Sequence, residues 1–494
     1  MKNTEAKLPV RAEDKIPRSE KIIYGAADFF GGGQSAMLSL LLMYFFTDII
    51  GVKPVFAACA ILIAKIWDAI IDPTLGIISD NTRTKLGRRR PYMIIGGALI
   101  IPAMAFLYAP VGGFDETAKS IWICFAYLCY CTVSSLSQVP FNSMSSDISG
   151  DYRERNSANT YKLIVDLISA GLCFLVPSLL LDSVKNGSMP YLNFYFILVF
   201  GFGTLFSLPL VLGGLFVKER AYYDFDYRAK FSAKEYFSTI KVKSFSWLLV
   251  MYVAAFICSD VVSALSIYYT MNILKGVTLF GGSIGTLYVI GPIMVCAGAI
   301  VPFAYFLMRK KNKQFAYRFG IPAYIFGAIM LACFQPDWKG WLVPVFAAIA
   351  GLGFGGTQVM PWLIFPDTVD VAEFALGTRP SGSMGGVMTF CRTVTTAFAT
   401  AMVGFVLGGA NYMESTAGEL VNQSPETLLA IRLLLGISVT VLLSLGFIAS
   451  LKYKVTNKKL ERIRFFVEKR REDGIESLTA EERTEYAQLM KELV

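Results

Sequence analysis

Apolar stretches of about 20 residues, twelve of them, constrain this chain more than any other feature of its sequence. Each is long enough to cross a hydrocarbon layer of about 30 Å as a helix. In hydrocarbon only helices and closed barrels satisfy their own backbone groups. The stretches run at about 22–50, 54–79, 92–111, 119–147, 158–182 and 190–217, then 244–274, 279–308, 317–335, 340–365, 384–409 and 428–453. Charged residues make up 17% of the chain and cluster between the stretches, whereas a soluble protein carries about 25%. A disordered chain or an ordinary soluble enzyme does not fit. The expected fold class is an all-α polytopic membrane protein with twelve transmembrane helices.

The residue inventory narrows the chemistry. There is no histidine, so histidine acid–base work, histidine metal ligation and Ser-His-Asp chemistry are excluded. The nine cysteines fall inside apolar stretches and form no CxxC pair, so they read as small apolar residues rather than a zinc or redox site. GxxxxGK[ST] is absent, and with it a nucleotide-cradling loop. No cofactor is expected, and no metal beyond a possible Na+ at a carboxylate pair. The net charge of +9 borders the apolar spans, which suits membrane topology rather than a nucleic-acid partner.

Lysine and arginine orient the spans. Lys2, Lys7, Arg11, Lys15, Arg18 and Lys21 precede the first span, and Arg83, Lys85, Arg88, Arg89 and Arg90 follow the second. More basic residues fill the central loop, the loop after span eight and the start of the tail. The opposite loops hold only Lys53, Lys119, Lys185, Lys275 and Lys339. Basic residues stay on the cytoplasmic side, so both termini are expected there, in a plasma (inner) membrane. The expected organisation is a cytosolic segment 1–21, a six-helix bundle 22–217, a cytosolic loop 218–243, a second bundle 244–453 and a cytosolic tail 454–494. No cleavable signal peptide is expected, since residues 1–21 are polar and the first apolar run is too long for one. The tail reads as an amphipathic helix pair, with Ser477 to Glu481 resembling a helix start.

The halves echo one another. Tyr44-Phe45-Phe46-Thr47-Asp48 recurs as Tyr268-Tyr269-Thr270-Met271-Asn272, and Pro140-Phe141 as Pro361-Trp362, at offsets of 221 to 224 residues. A near-constant offset implies two pseudo-symmetric repeats.

Ionisable residues inside spans are costly and point to function. Asp68 and Asp72 are the sharpest pair, because four residues apart on a helix they share a face one turn apart. A bound cation or a shared proton relieves their repulsion; the structural alternative is an ion-pair network with Lys65, Lys162 or Arg392. The echo of Asp68 falls near Ile290, in an apolar stretch, so the acid pair belongs to the first half alone. Arg392 and Lys162, with Asp28, Gln34, Gln138, Asn142 and Gln358, could line a polar cavity suited to a hydroxylated solute. Gln34 and Gln358 could equally bridge helices, and Lys162 could snorkel. Gly31, Gly32 and Gly33 allow local unwinding, a hinge, or close helix packing. The loop Asp80 to Pro91, with Arg83, Gly87 and Arg88, could latch the halves together with Asp367, Asp370, Glu373 and Arg379; the alternative is topogenic charge.

The strongest pattern is KIWDAIIDPTLGIISDNTRTKLGRRRPY at 65–92, supported by YFFTDIIG at 44–51, VPFNSM at 139–144 and DTVDVAEF at 367–374. With these, the chain over about 22–453 resembles the glycoside–pentoside–hexuronide:cation symporters, the melibiose permease type of the major facilitator superfamily. The resemblance implies that Asp68 and Asp72 bind the coupling cation, with Ser135 facing them, and that Gln138 and Asn142 face the sugar. It sets Arg392 within one residue of a lysine tied to the cation site, and Lys162 close to a span-five arginine. The chain also departs from the family. Gly32 stands where the family has a sugar-binding aspartate, Gln138 where it has an acid, Asn142 where it has a tryptophan, and Ile71 where it has a cation-site asparagine. The loss of that oxygen ligand leans the coupling ion toward H+ over Na+.

The expected function is therefore secondary active symport of a sugar, glycoside, pentoside, uronide or related polar solute, by a chain acting as a monomer in contact with membrane lipid. Two rivals are an exchanger or exporter of organic anions held by Lys162 and Arg392, and a non-transporting membrane sensor. A membrane-embedded enzyme is not expected.

Overall fold

A computed structural model describes residues 15–149, 152–185, 187–220, 239–279, 282–377, 380–414, 421–472 and 479–493. Twelve helices among them are long and apolar enough to cross a membrane. They are α1 (Arg18–Ile49), α2 (Pro54–Asn81), α3 (Arg90–Leu107), α4 (Glu116–Ser145), α5 (Ser157–Val184) and α6 (Tyr191–Phe216), then α7 (Lys243–Ile273), α8 (Leu287–Met308), α9 (Lys313–Cys333), α10 (Leu342–Leu376), α11 (Met384–Gly409) and α12 (Pro425–Lys452). Two polar helices follow, α13 (Asn457–Glu472) and α14 (Ala480–Leu493). The chain divides into two compact units, the first built on α1 to α6 and the second on α7 to α14, with the short segment Lys53–Ala58 grouping with the second.

The repeat is visible in both backbone and packing. Helix α1 ends in a π-helical turn at Phe45–Ile49, and α7 ends in one at Tyr269–Ile273. These wider turns fall on the echoed aromatic motifs. The pairs α1–α5, α3–α4 and α3–α6 pack in the first unit, and α7–α11, α9–α10 and α9–α12 pack in the second.

Three elements depart from the sequence expectation. The eighth span begins at Leu287 rather than near 279, because Thr278–Leu279 pairs with Gly282–Ser283 as a short antiparallel hairpin. The glycines at 281, 282 and 285 make helix costly there, by about 1 kcal/mol each. The tenth helix runs past 365 to Leu376 and ends on Gly377 at φ +79, whose N–H returns to the Glu373 carbonyl at 3.0 Å. The break in α1 falls at Asp28, between helical runs Arg18–Ala27 and Phe29–Tyr44. The three glycines after it are helical rather than unwound. They serve close packing: a Cβ on Gly32 would lie 2.7 Å from Asp166 Oδ1, and one on Gly33 would lie 2.8 Å from Cys173 Sγ and 2.9 Å from Phe206.

The tail helices fold onto the second unit. Phe374, at the end of α10, packs its ring against Phe466 and Tyr486. Arg470 donates to the Glu373 and Phe374 carbonyls at 2.7 and 3.0 Å, which covers the open end of α10. Helix α14 begins on a reciprocal capping box, with the Glu482 N–H donating to Thr479 Oγ1 at 3.3 Å and the Thr479 N–H to Glu482 Oε2 at 2.8 Å. The cap thus sits on Thr479; Ser477 lies outside the described residues.

Small residues let α9 and α10 touch backbone to backbone. A Cβ on Gly353 would overlap the Gly320 carbonyl and stand 2.6 Å from Tyr324 Cβ. Gly353→Val is therefore expected to force the helices apart and destabilise the second unit by about 1–3 kcal/mol, the range for overpacking. A fall in the melting temperature of the detergent-solubilised protein measures it, and an unchanged melt would refute the close crossing.

Candidate functional site

The span residues Asp68, Asp72, Asp28 and Lys162 of the first unit fall in two clusters. In the first, Asp68 and Asp72 project from one face of α2. The Asp68 residue is 7% exposed, and its Oδ2 receives the Lys65 ammonium at 2.8 Å. The same ammonium lies 5.8 Å from the ring centre of Tyr127 on α4. Ser135, two turns further along α4, lies beside the Asp72 carboxyl. One carboxyl oxygen on each acid, Oδ1 in both cases, is buried with no hydrogen-bond partner. Trp67 Nε1 donates to Thr132 Oγ1 at 2.9 Å and ties α2 to α4 beside the cluster. Asp68, Asp72 and Ser135, separate in the sequence, thus come together. Lys65 completes the group as a fixed internal counter-charge. Buried acceptors left unpaired cost roughly 1–3 kcal/mol each, and these two oxygens carry that cost side by side on α2. Among the described residues no cluster of three or more acidic, cysteine or histidine side chains suits a polyvalent metal.

The second cluster joins α1, α4 and α5. Asp28 is 3% exposed at the break in α1. Lys162 places its ammonium 3.9 Å from Asp28 Oδ1, donates to Asn142 Oδ1 at 2.7 Å and lies 4.7 Å above the Phe141 ring. The helical Gly31 leaves the opening: a Cβ there would come 2.6 Å from both Asp28 Oδ1 and Gln138 Nε2. Gln138 Oε1 is buried and unpartnered. Asp28, Gln138, Asn142 and Lys162 therefore form one polar group. Gln34 stands apart from it, with its amide donating to Ser134 Oγ at 2.7 Å and bridging α1 to α4.

In the second unit Arg392 on α11 grips Asp260 on α7 with both terminal nitrogens. One contact measures 2.9 Å; the other nitrogen also reaches Thr396 Oγ1. The guanidinium lies 4.7 Å above the Phe256 ring. Asp260 is 3% exposed and is the partner that sequence reading left unassigned. The available signal was opposite charge in the same repeat, which gives no distance. Gln358 donates to the Ala255 carbonyl at 3.1 Å and bridges α10 to α7.

The charged loop after α2 ties the ends of four helices within the first unit. Gly87 adopts φ +113, a conformation that favours glycine. Directly after it, the Glu219 carboxylate accepts the N–H groups of Arg88, Arg89 and Arg90 at 3.1, 2.8 and 3.3 Å and so caps α3. Arg88 and Arg89 each bind Asp147 beyond α4, at 3.0 and 3.1 Å, and Arg89 also binds Asp80. Arg83 donates to the Asp80 carbonyl at 2.7 Å. Arg90 donates to the Gly214 carbonyl at 2.7 Å, near the end of α6. In the second unit, Asp367 takes Lys313 at 2.6 Å and Asp370 takes Arg464 at 2.8 Å. Glu373 is buried near the end of α10, and Arg379 lies outside the described residues. The ties described for both sets of latch residues run within their own units, and the tail arginines that answer α10 carried no signal in sequence.

The Arg392–Asp260 pair offers a direct check. Breaking a buried pair from one side leaves an uncompensated charge and costs about 3–5 kcal/mol. Asp260→Asn is expected to destabilise the protein by that order, and Asp260→Asn with Arg392→Gln by distinctly less. Thermal melts of the two variants measure the difference; equal losses would show that the charges do not couple.

Comparison with known proteins agrees with this architecture. A family model described as MFS/sugar transport protein matches residues 23–457. The chain is 26% identical to a Bacillus subtilis protein named as an uncharacterized symporter, YnaJ, over 91% of this chain and 94% of that one. It is 24% identical to an Escherichia coli protein named as a glucuronide carrier protein homolog, over 89% and 93%. The crystal structure of the nucleoside transporter NupG superposes with a TM-score of 0.59 at 13% identity, over 88% of this chain and 98% of that one, a likeness of fold. With twelve membrane-crossing helices in two repeats, the chain belongs to the MFS/sugar transport protein family, the glycoside–pentoside–hexuronide symporters, and is a membrane transporter rather than an enzyme.

Proposed function

We propose that this transporter is a proton-coupled symporter that brings a sugar, glycoside, pentoside, uronide or related hydroxylated solute across the plasma membrane, as a monomer with both termini in the cytoplasm. The observation that carries the proposal is the acid pair Asp68 and Asp72, each with a buried carboxyl oxygen that finds no hydrogen-bond partner among the described residues. Two such groups one turn apart bind a positive charge when it is present and repel when it leaves. A coupling site needs that property. The Lys65 ammonium 2.8 Å from Asp68 supports H+ over Na+. It already neutralises one acid and leaves Asp72, with the Ser135 hydroxyl, as the carboxyl free to take a proton.

The solute is assigned to the second cluster. Asp28 and the Gln138 and Asn142 amides offer acceptors, and Lys162 with the same amides offers donors, in directions suited to sugar hydroxyls. The relative named as a glucuronide carrier protein homolog supports a sugar-type solute. In the opposite unit Arg392 holds Asp260 with both nitrogens, so a solute carboxylate would compete with an existing pair. That weighs against a dedicated anion exchanger. Transport follows from the difference in affinity for ion and solute between outward- and inward-open states of the two repeats. The basic residues flanking the even number of spans support the cytoplasmic side for both termini.

Uptake of labelled neutral glycosides, pentosides and uronides into proteoliposomes tests the reading, under an imposed proton gradient, a sodium gradient, or neither. One pH unit supports up to about tenfold accumulation per coupled proton. Accumulation is expected with the proton gradient alone, and Asp72→Asn is expected to abolish it while the solute still equilibrates. Absence of gradient-driven uptake by folded protein would overturn the symporter. Loss of only the anionic solutes in Arg392→Gln would favour the anion carrier. A second variant bears on ion choice: Lys65→Gln removes the internal counter-charge, and uptake is then expected to respond to sodium. A variant that stays strictly proton-driven would refute the role given to Lys65.

A further inference from the structure

A cavity of about 450 Å³ opens where α7 begins, α12 ends and α14 lies against them. Four lysines line it: Lys243 at the start of α7, Lys452 and Lys454 at the end of α12, and Lys491 on α14. Glu492, the one acid among the described lining residues, is already held by Lys459 at 2.6 Å. Lys243 donates at 3.4 Å to a backbone carbonyl, that of Lys491, and Lys452 lies 4.9 Å above the Trp247 ring. Among the described residues no carboxylate pairs with any of the four. Helix α7 starts without a side-chain cap, so the partial positive charge of its first turn adds to theirs. A second basic cavity, at the start of α1, differs in this respect. There Lys21 is answered by Glu154 at 2.8 Å.

Four like charges around one cavity repel unless an anion enters. The surroundings say which kind of anion fits. The cavity sits where two membrane helices leave the hydrocarbon, and Trp247, one turn inside α7, is the residue type that anchors at headgroup level. Just beyond it the membrane-facing surface is apolar: Val250 is 39% exposed, Ile448 49% and Leu451 53%. A free phosphate would use the lysines and leave that surface idle, whereas a phospholipid would use both. Basic pockets at helix ends bind anionic headgroups in this way. We propose that the cavity is a binding site for the headgroup of an anionic phospholipid, whose acyl chains run along Val250, Ile448 and Leu451. Because α14 supplies Lys491, the lipid also fastens the tail helices to the membrane unit. This inference rests on the membrane-spanning fold and is independent of the identity of the transported solute.

The test uses full-length protein in detergent, titrated with phosphatidylglycerol, phosphatidylcholine or inorganic phosphate, with the melting temperature as readout. Phosphatidylglycerol is expected to raise it at lower mole fraction than phosphatidylcholine, with inorganic phosphate ineffective. Lys454→Gln with Lys491→Gln is expected to weaken the apparent affinity for phosphatidylglycerol roughly 30-fold, at the usual contribution of one basic residue each. Lys454→Arg with Lys491→Arg is expected to retain it. Lys491→Glu, on an exposed tail position outside the spans, serves if the double glutamine variant fails to fold, and is expected to lose the phosphatidylglycerol effect. An equal effect of phosphatidylcholine would reduce the site to a generic lipid contact and overturn the proposal. A matching effect of inorganic phosphate would reassign the cavity to a soluble anion. Undiminished phosphatidylglycerol binding in either charge-removing variant would show that the lysines are already satisfied by the protein.

Discussion

A charge carried into hydrocarbon must find a partner inside the protein, because no water is there to solvate it. Much of the arrangement described above follows from that requirement. Lys65 meets Asp68, Lys162 meets Asn142 and Asp28, and Arg392 meets Asp260. Each pair fixes a relation between positions on one helix or between helices of one unit. The requirement is left open at the second oxygens of Asp68 and Asp72 and at Gln138 Oε1, which are buried without a hydrogen-bond partner among the described residues; the proposed coupling and solute sites rest on these atoms.

The same demand shapes the backbone. Helix ends expose carbonyl and N–H groups, and this chain closes several of them with remote side chains. Glu219 covers the start of α3, Arg90 reaches the end of α6, and Arg470 covers the end of α10. The charged loops at the membrane boundary therefore do structural work in addition to orienting the chain. Helix crossings depend on small residues in place of a hydrophobic driving force between helices. That is why Gly33 sits against Cys173 and Phe206, and Gly353 against Gly320.

Legibility in sequence followed the range of the physics. Spans were readable because a crossing helix needs a fixed length of apolar residues, and most predicted limits lie within a few residues of the observed helices. The exceptions are the hairpin before α8 and the extension of α10. The repeat was readable from two short motifs, and the π-helical turns on both aromatic motifs give it a structural counterpart. The Asp68–Asp72 pair was readable because both acids lie on one helix, where spacing alone sets the geometry. Ser135 came only through family resemblance, and the Asp260 partner of Arg392 went unassigned, because contacts between helices leave no periodic trace.

The sequence by itself determined that this chain crosses a membrane twelve times in two related halves, and that it places two acids on one face of its second helix. Those properties depend on local hydropathy, helical period and charge count. The tertiary structure alone decided which polar residues share a cluster, that the glycine triplet packs rather than unwinds, and that Arg464 and Arg470 of the tail close over the end of α10. These are relations between segments distant in the chain. They follow from which helix faces pack together and from which buried charges then come within bonding distance.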